Sequence, residues 1–317
     1  MNSFKPKDFI ETAEGLIFAV VTEDAEAQRI LSSLRYQRTE SGYRKLSTRE
    51  ADDLLQSRHK DYLYYSRARD VRLHGVPRNR IVHHHQPRLR LQEIRRRAPG
   101  DALEEKLQRL TSLFEQQGLD LRQLGVTGSL LIGAHNLHSD IDLVLYRREA
   151  FFKTRQIIKT LLAEKALEPL DESLWLDAYE RRGCTLSYDE YRWHEERKYN
   201  KAAIASTKFD IGLLTADRWQ DLLSYRKHGR VSLRSTITND EYRFDYPARY
   251  LLDHPSVHEA VSYTATYAGQ ARQGEQVEIQ GQLEVSSVGH LRLVIGTNRE
   301  SPNEYIKVLP QRDHRVS

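Results

Sequence analysis

The stretch Asp140-Ile141-Asp142-Leu143-Val144-Leu145 sets two carboxylates into an otherwise apolar run. Side chains two apart on a strand share a face, so both acids project together while Ile141, Leu143 and Leu145 anchor the opposite side. Like charges held this close repel each other and raise a pKa unless a cation compensates. Mg²⁺ is one such cation, since it favours oxygen ligands and is usually bound through one or two carboxylates plus substrate phosphates. A strand-edge Asp-x-Asp also arises by chance, so its neighbours in the chain decide the reading.

Upstream, Gly125-Val126-Thr127-Gly128-Ser129 ends a strand-like run where a helix-compatible stretch begins. Glycine there permits close backbone approach, N–H groups at a helix start attract phosphate, and Ser129 adds a hydroxyl. A plain turn would use the same residue types. Downstream, Lys208-Phe209-Asp210-Ile211-Gly212-Leu213-Leu214 places an acid inside an apolar strand, which is costly unless the acid is paired or coordinates metal. Alternation sets Lys208 on the face of Asp210, where it meets either phosphate oxygens or the aspartates themselves.

In order and spacing, Gly128-Ser129, the spacer 130–139, Asp140-Ile141-Asp142 and the later strand aspartate Asp210 resemble the signature of the DNA polymerase beta-like nucleotidyltransferase superfamily. The resemblance covers roughly residues 101–225. It implies an α+β fold whose nucleotidyltransferase core is a mixed sheet with flanking helices. It also implies transfer of a nucleoside monophosphate from a nucleoside triphosphate to an acceptor hydroxyl, with release of pyrophosphate. By that likeness Asp140 and Asp142 would bind two Mg²⁺ ions, with Mn²⁺ as a substitute, and Asp210 would help hold the catalytic ion. Gly128, Ser129 and Lys208 would contact the triphosphate. Arg197 and Lys201, read as helix neighbours at i, i+4, would grip triphosphate or acceptor, unless they are a solvated charged face. Trp193 is expected in a core in preference to serving as a stacking platform.

Three domains are expected around this signature. The first is a basic α+β domain over 1–97, with a strand at 16–21, a helix at 24–34 and a helix from Thr48, itself the N-cap. Ala98-Pro99-Gly100 then breaks the chain. The core runs over 101–247. It opens with an Asp101-capped helix carrying Leu103, Leu107, Leu110, Leu113 and Phe114, continues with a helix at 149–165, and includes a helix from Ala216 whose stripe is Trp219, Leu222 and Leu223. Over 256–311, short alternating runs at 261–267, 276–283, 290–295 and 305–309 predict a small β-barrel or sandwich, with an OB-like barrel as one form.

Composition narrows the partners. Among 317 residues, 39% are hydrophobic and 30% charged, which suits packed cores under a solvated surface and offers no apolar run long enough for a bilayer. Residues 1–9 lack the apolar stretch of a secretory leader, and Cys184, the sole cysteine, excludes an intrachain disulfide; a cytoplasmic location is expected. The net charge is +4, with ten arginines between Arg67 and Arg97 against Asp70 and Glu93 alone. That run is either a phosphate-facing surface or a solvated one. Arg226, Lys227, His228, Arg230 and Arg234 form a second basic stretch. His83-His84-His85 would alternate sides on a strand and so do not converge easily on one metal ion; a phosphate-facing or merely exposed segment is expected there. The acceptor expected from this balance is a nucleic acid, an RNA 3′ end rather than a duplex DNA primer. The alternatives are a small-molecule or protein acceptor, or a non-catalytic nucleic-acid-binding protein with a degenerate core.

Overall fold

A computed structural model describes residues 3–215, 223–297 and 303–310. It is a mixed α+β structure with three sheets, and it divides into two compact units: one drawn from 1–67, 71–169 and 200–214, the other from 68–70, 170–199 and 215–317.

The first unit begins with β1 (Phe9–Thr12), β2 (Leu16–Glu26), β3 (Arg29–Thr39), β4 (Gly42–Lys45), helix α1 (Thr48–Arg58), β5 (Leu63–Ser66), β6 (Val71–Pro77) and β7 (Ile81–His85). These strands form one seven-stranded sheet in the order β5-β6-β3-β2-β1-β7, with β4 on β3. The helix expected at 24–34 is instead the end of β2 and the start of β3. Ala27 and Gln28 both have positive φ (48° and 60°) and close a two-residue hairpin between Glu26 and Arg29. Such turns favour Asn-Gly or Asp-Gly, so Ala-Gln carries no hairpin signal, and the apolar residues beyond it mimic a helical period. Helix α1 forms where expected, but its N-cap is Ser47, whose hydroxyl and Glu50 make a reciprocal capping box.

Helix α2 (Pro87–Arg95) and helix α3 (Ala102–Gln116) then lead to β8 (Leu124–Thr127), helix α4 (Ser129–Ile132), β9 (Ile141–Leu145) and helix α5 (Arg148–Ala163). Strands β10 (Lys201–Ile204) and β11 (Thr207–Leu213) complete a four-stranded sheet in the order β10-β11-β9-β8. Within it β8 runs antiparallel to β9, β9 parallel to β11, and β10 antiparallel to β11. Asp101 caps α3 as expected, accepting from the N–H groups of Leu103 and Glu104. Phe114 of α3 meets Phe209 of β11 edge-on at 6.0 Å, while Phe151, Ile157, Ile158 and Leu161 of α5 are buried. One face of this sheet, carrying Ile141, Leu143, Phe209 and Ile211, is therefore core.

The two sheets of this unit share a boundary. Phe9, Ile17 and Tyr36 of the larger sheet pack with Leu131 and Ile132 of α4. Pro87 of α2 lies so close to Gly125 of β8 that a Cβ there would sit 2.8 Å from it.

The second unit holds helices α6 (Glu172–Arg182) and α7 (Tyr188–Glu196) and strands β12 (Tyr225–Asn239), β13 (Ala248–Leu252), β14 (Glu259–Ser262), β15 (Gln276–Ser286), β16 (Leu291–Ile295) and β17 (Tyr305–Val308). Its sheet runs β12-β13-β14-β16-β15-β17, and β12 also pairs with β15, so the path of pairings returns on itself. Trp175, Ala178 and Tyr191 of the two helices share a core with Ile237, Tyr250, Ile279 and Leu293 of the strands.

The observed division differs from the expected one in two respects. The N-terminal sheet and the four-stranded sheet fall within one unit, and 170–199 together with 225–247 join the C-terminal strands. An apolar helix face does not say which sheet it will cover, and β12 hides in the sequence because its first half is exposed and basic. The helix expected from Ala216 lies outside the described residues. Among the described residues no helix is long and apolar enough to cross a membrane.

Candidate active site

The four-stranded sheet brings the signature residues together through its register. Asp142 on β9 stands directly beside Asp210 on β11, with Thr127 on the far side of Asp142 and Lys201 on the far side of Asp210. Cross-strand partners point to one face, so Thr127, Asp142, Asp210 and Lys201 form a row on the face turned away from Phe209 and Ile211. Parallel pairing makes this possible: both aspartates precede the C-terminal ends of neighbouring strands at the same level.

Asp140 lies one step before β9, level with Lys208, and its Oδ2 is 2.5 Å from the Lys208 Nζ. Lys208 is almost fully buried. Of the two fates open to this lysine from the sequence, pairing with an aspartate is the one observed. Burying that ammonium beside a carboxylate satisfies both charges and fixes the turn into β9.

Asp142 is different. Among the described residues its carboxylate makes no hydrogen bond or ion pair within bonding distance. Burial, then the negative charge of Asp210, with a smaller push from Asp140, raise its pKa from the ordinary 3.8 to about 6, while Lys208 and Lys7 pull it down.

Gly128 explains how a carboxylate fits there. Its φ of +67° lies in the region open to glycine, and a Cβ built on it would come within 2.2 Å of Asp142 Oδ2. Any side chain at 128 would displace the acid. Ser129 opens α4, but α4 is a single turn of four residues, so the extended helix start expected after Gly128 is absent. What the structure shows at Gly128 is close backbone approach to the Asp142 carboxylate.

Two cations near this row carry no signal in the sequence. Thr127 Oγ1 donates to the carbonyl of Lys7 at 2.9 Å, which ties the N-terminal segment to the residue opposite Asp142. The Lys7 charge is felt at Asp142. Arg35 on β3 also feels Asp142, while its partial burial lowers the guanidinium pKa. No motif marks either residue, and Arg35 sits just beyond the hairpin whose sequence mimics a helix.

Other expected contributors are placed elsewhere. Arg197 follows the end of α7 in the second unit, where it pairs with Glu275 at 2.5 Å and stacks on Trp193 with its guanidinium carbon 4.4 Å from the ring centre. Helix α7 ends at Glu196 and Lys201 begins β10, so the two are not helix neighbours. Trp193, expected in a core, is 50% exposed and forms the platform for Arg197. Much of the arginine run serves internal contacts. Arg80 pairs with Glu14, Arg90 and Arg97 share Glu104, Arg95 pairs with Glu115, and Arg88 lies 3.9 Å above the Tyr146 ring. His84 and His85 bond to Asp8 and Glu11 at 2.7 Å and 3.2 Å. The second basic stretch lies on β12, where Arg226, Lys227, His228, Arg230 and Arg234 are exposed.

Among the described residues no three acidic, histidine or cysteine side chains are gathered as a complete metal cage. The unpartnered Asp142 beside Asp210 suits an ion that keeps its remaining ligands as water or phosphate. Asp140, engaged by Lys208, is the weaker donor of the three.

A protein of Methanocaldococcus jannaschii, named Uncharacterized protein MJ1086, is 33% identical over 337 residues, an alignment covering 95% of this chain and 98% of the relative. The chain belongs to the MJ1086 family. No family model matches the chain, and no solved structure matches it. At that coverage the likeness to MJ1086 extends through both units.

Proposed function

We propose that the chain is a metal-dependent nucleotidyltransferase that moves a nucleoside monophosphate from a nucleoside triphosphate to an acceptor hydroxyl. The observation that carries this reading is the register of Asp142 beside Asp210 on parallel strands, with the Gly128 backbone pressed against the Asp142 carboxylate. Two acids set side by side, one of them without a bonded partner, form a poor structural feature and a good place to receive cationic charge. In this reading the four-stranded mixed sheet with α3 and α5 is the nucleotidyltransferase core. Asp142 and Asp210 would hold the metal; when bound, Mg²⁺ supplies charge neutralisation of the phosphates and lowers the pKa of the acceptor hydroxyl.

The chain's own residues do the rest. Asp210 accepts the acceptor proton or passes it to water. The acceptor oxygen forms its bond to the α-phosphorus as the bond from that phosphorus to the bridging oxygen breaks, and the electron pair leaves with pyrophosphate. Lys208 holds Asp140 in place through their ion pair. Gly128 leaves the space into which the Asp142 carboxylate fits.

An RNA 3′ end is the proposed acceptor. The exposed basic residues of β12 support a polyanionic partner, and the self-closing path of strand pairings in the second unit supports a small barrel able to hold a single strand. Incubation with each labelled triphosphate, Mg²⁺ and a mixed RNA pool should label RNA, and Asp142→Ala should abolish the label while leaving the circular-dichroism spectrum unchanged. Labelling of another acceptor in place of RNA would refute the acceptor assignment, and near-normal turnover by the variant would refute the site.

A further inference from the structure

We infer that Arg35, delivered from the N-terminal sheet by a β-bulge, is the phosphate-binding residue of this site and contacts the β- and γ-phosphates of a bound triphosphate. This deepens the nucleotidyltransferase reading and rests on it.

The local geometry shows why Arg35 is where it is. In the β2–β3 pairing Ile17 stands opposite Tyr36, yet the next residue, Phe18, stands opposite Leu34, so Arg35 is an extra residue without a cross-strand partner. Residues two apart on a regular strand share a face. Here Leu34 enters the core beneath α1, whereas Tyr36 enters the other cluster, against Leu131 and Ile132 of α4. The bulge between them takes Arg35 out of the alternation, and bulges recur next to active sites because they re-aim a side chain. The re-aimed guanidinium is only partly exposed, and among the described residues it makes no side-chain hydrogen bond or ion pair. Its neighbour Tyr36 is anchored on α4, directly after the Gly128-Ser129 turn.

A half-buried arginine without a hydrogen-bonded carboxylate, near enough to Asp142 to feel its charge and next to a residue packed on α4, is arranged for an anion that arrives with the ligand. A polyphosphate matches on two counts. The guanidinium fork binds phosphate oxygens bidentately, and the metal-facing acids take the opposite charge. Lys7, tethered through its carbonyl to Thr127, adds a second positive charge from the same N-terminal segment. The N-terminal sheet is thereby part of the nucleotide site and not a separate nucleic-acid module.

The test is calorimetric titration of the full chain in Mg²⁺ with the four nucleoside triphosphates, the four monophosphates and inorganic tripolyphosphate. Arg35→Met, which keeps the aliphatic stem, and Arg35→Lys, which keeps the charge, are compared with wild type. Arg35→Met should weaken triphosphate and tripolyphosphate about tenfold or more, leave monophosphate within about twofold, and Arg35→Lys should recover part of the loss. If wild type and both variants bind triphosphates equally, the inference falls while the nucleotidyltransferase reading stands. If tripolyphosphate binds through Arg35 but no nucleotide binds, the anion site stands and the nucleotidyltransferase reading falls. If wild type binds none of these probes, both fall. Should Arg35→Met fail to fold, undiminished affinity in Arg35→Lys together with the absence of any salt dependence would still overturn it.

Discussion

Replacing Asp142 by asparagine should make the protein more stable, and only above a defined pH. The acid's pKa stands at about 6 in the folded chain against 3.8 in an unfolded one, because burial and the charge of Asp210 disfavour the ionised form. A folded state that holds its proton more tightly is progressively destabilised as pH rises from about 4 to about 6, and the loss is complete above that window. A rise of this size corresponds to about 3 kcal/mol. Asparagine is close to isosteric and cannot ionise, so Asp142→Asn removes the penalty. In metal-free buffer with chelator, urea unfolding at about pH 8 should show Asp142→Asn more stable by up to about 3 kcal/mol, and the gap should shrink below about 1 kcal/mol at about pH 4. Added Mg²⁺ should stabilise wild type and not the variant, narrowing the gap, because a ligand stabilises only the state that binds it. A variant no more stable than wild type at about pH 8, or a difference that ignores pH, would show that the carboxylate is not held uncompensated beside Asp210.

Two further outcomes follow from the packing. Gly128→Ala should cost about 1–3 kcal/mol in urea unfolding and should also weaken Mg²⁺ binding, since the methyl group meets the Asp142 carboxylate at a positive φ; wild-type values in both measurements would remove the glycine from the site. In the second unit Lys198 and Glu195 form a fully buried ion pair, and Lys198 also donates to the Thr266 carbonyl at 2.7 Å. Lys198→Met should therefore cost about 3–5 kcal/mol, and Lys198→Met combined with Glu195→Gln should recover much of it, as chemical unfolding of the single and double variants would reveal.

The aspartate row was legible in the sequence because strand alternation and apolar flanks are local signals. Asp140, Asp142 and Asp210 announced themselves as acids in runs that otherwise bury, and the Gly128-Ser129 turn fixed their setting. Which acid would be neutralised internally was not legible, since the Asp140–Lys208 pair depends on the level at which two parallel strands align. The hairpins at Ala27-Gln28 and Ala205-Ser206 were invisible for a related reason: both put ordinary residues at positive φ, held there by the strands they join. The helix-like apolar spacing across the first of them conceals β3 and with it Arg35. The partition of helices also escaped, because α6 and α7 show an apolar stripe but not the sheet that receives it.

The extra residue in β3 carries an implication for how such a site can be acquired or lost. With Arg35 removed, Leu34 and Tyr36 would become consecutive and would still face opposite ways, as they do now. The sheet on either side would keep its partners, and only the guanidinium and the local kink would vanish. A single codon thus separates a plain strand from one bearing a ligand contact, so a lineage could gain or discard that contact without rebuilding the scaffold around it.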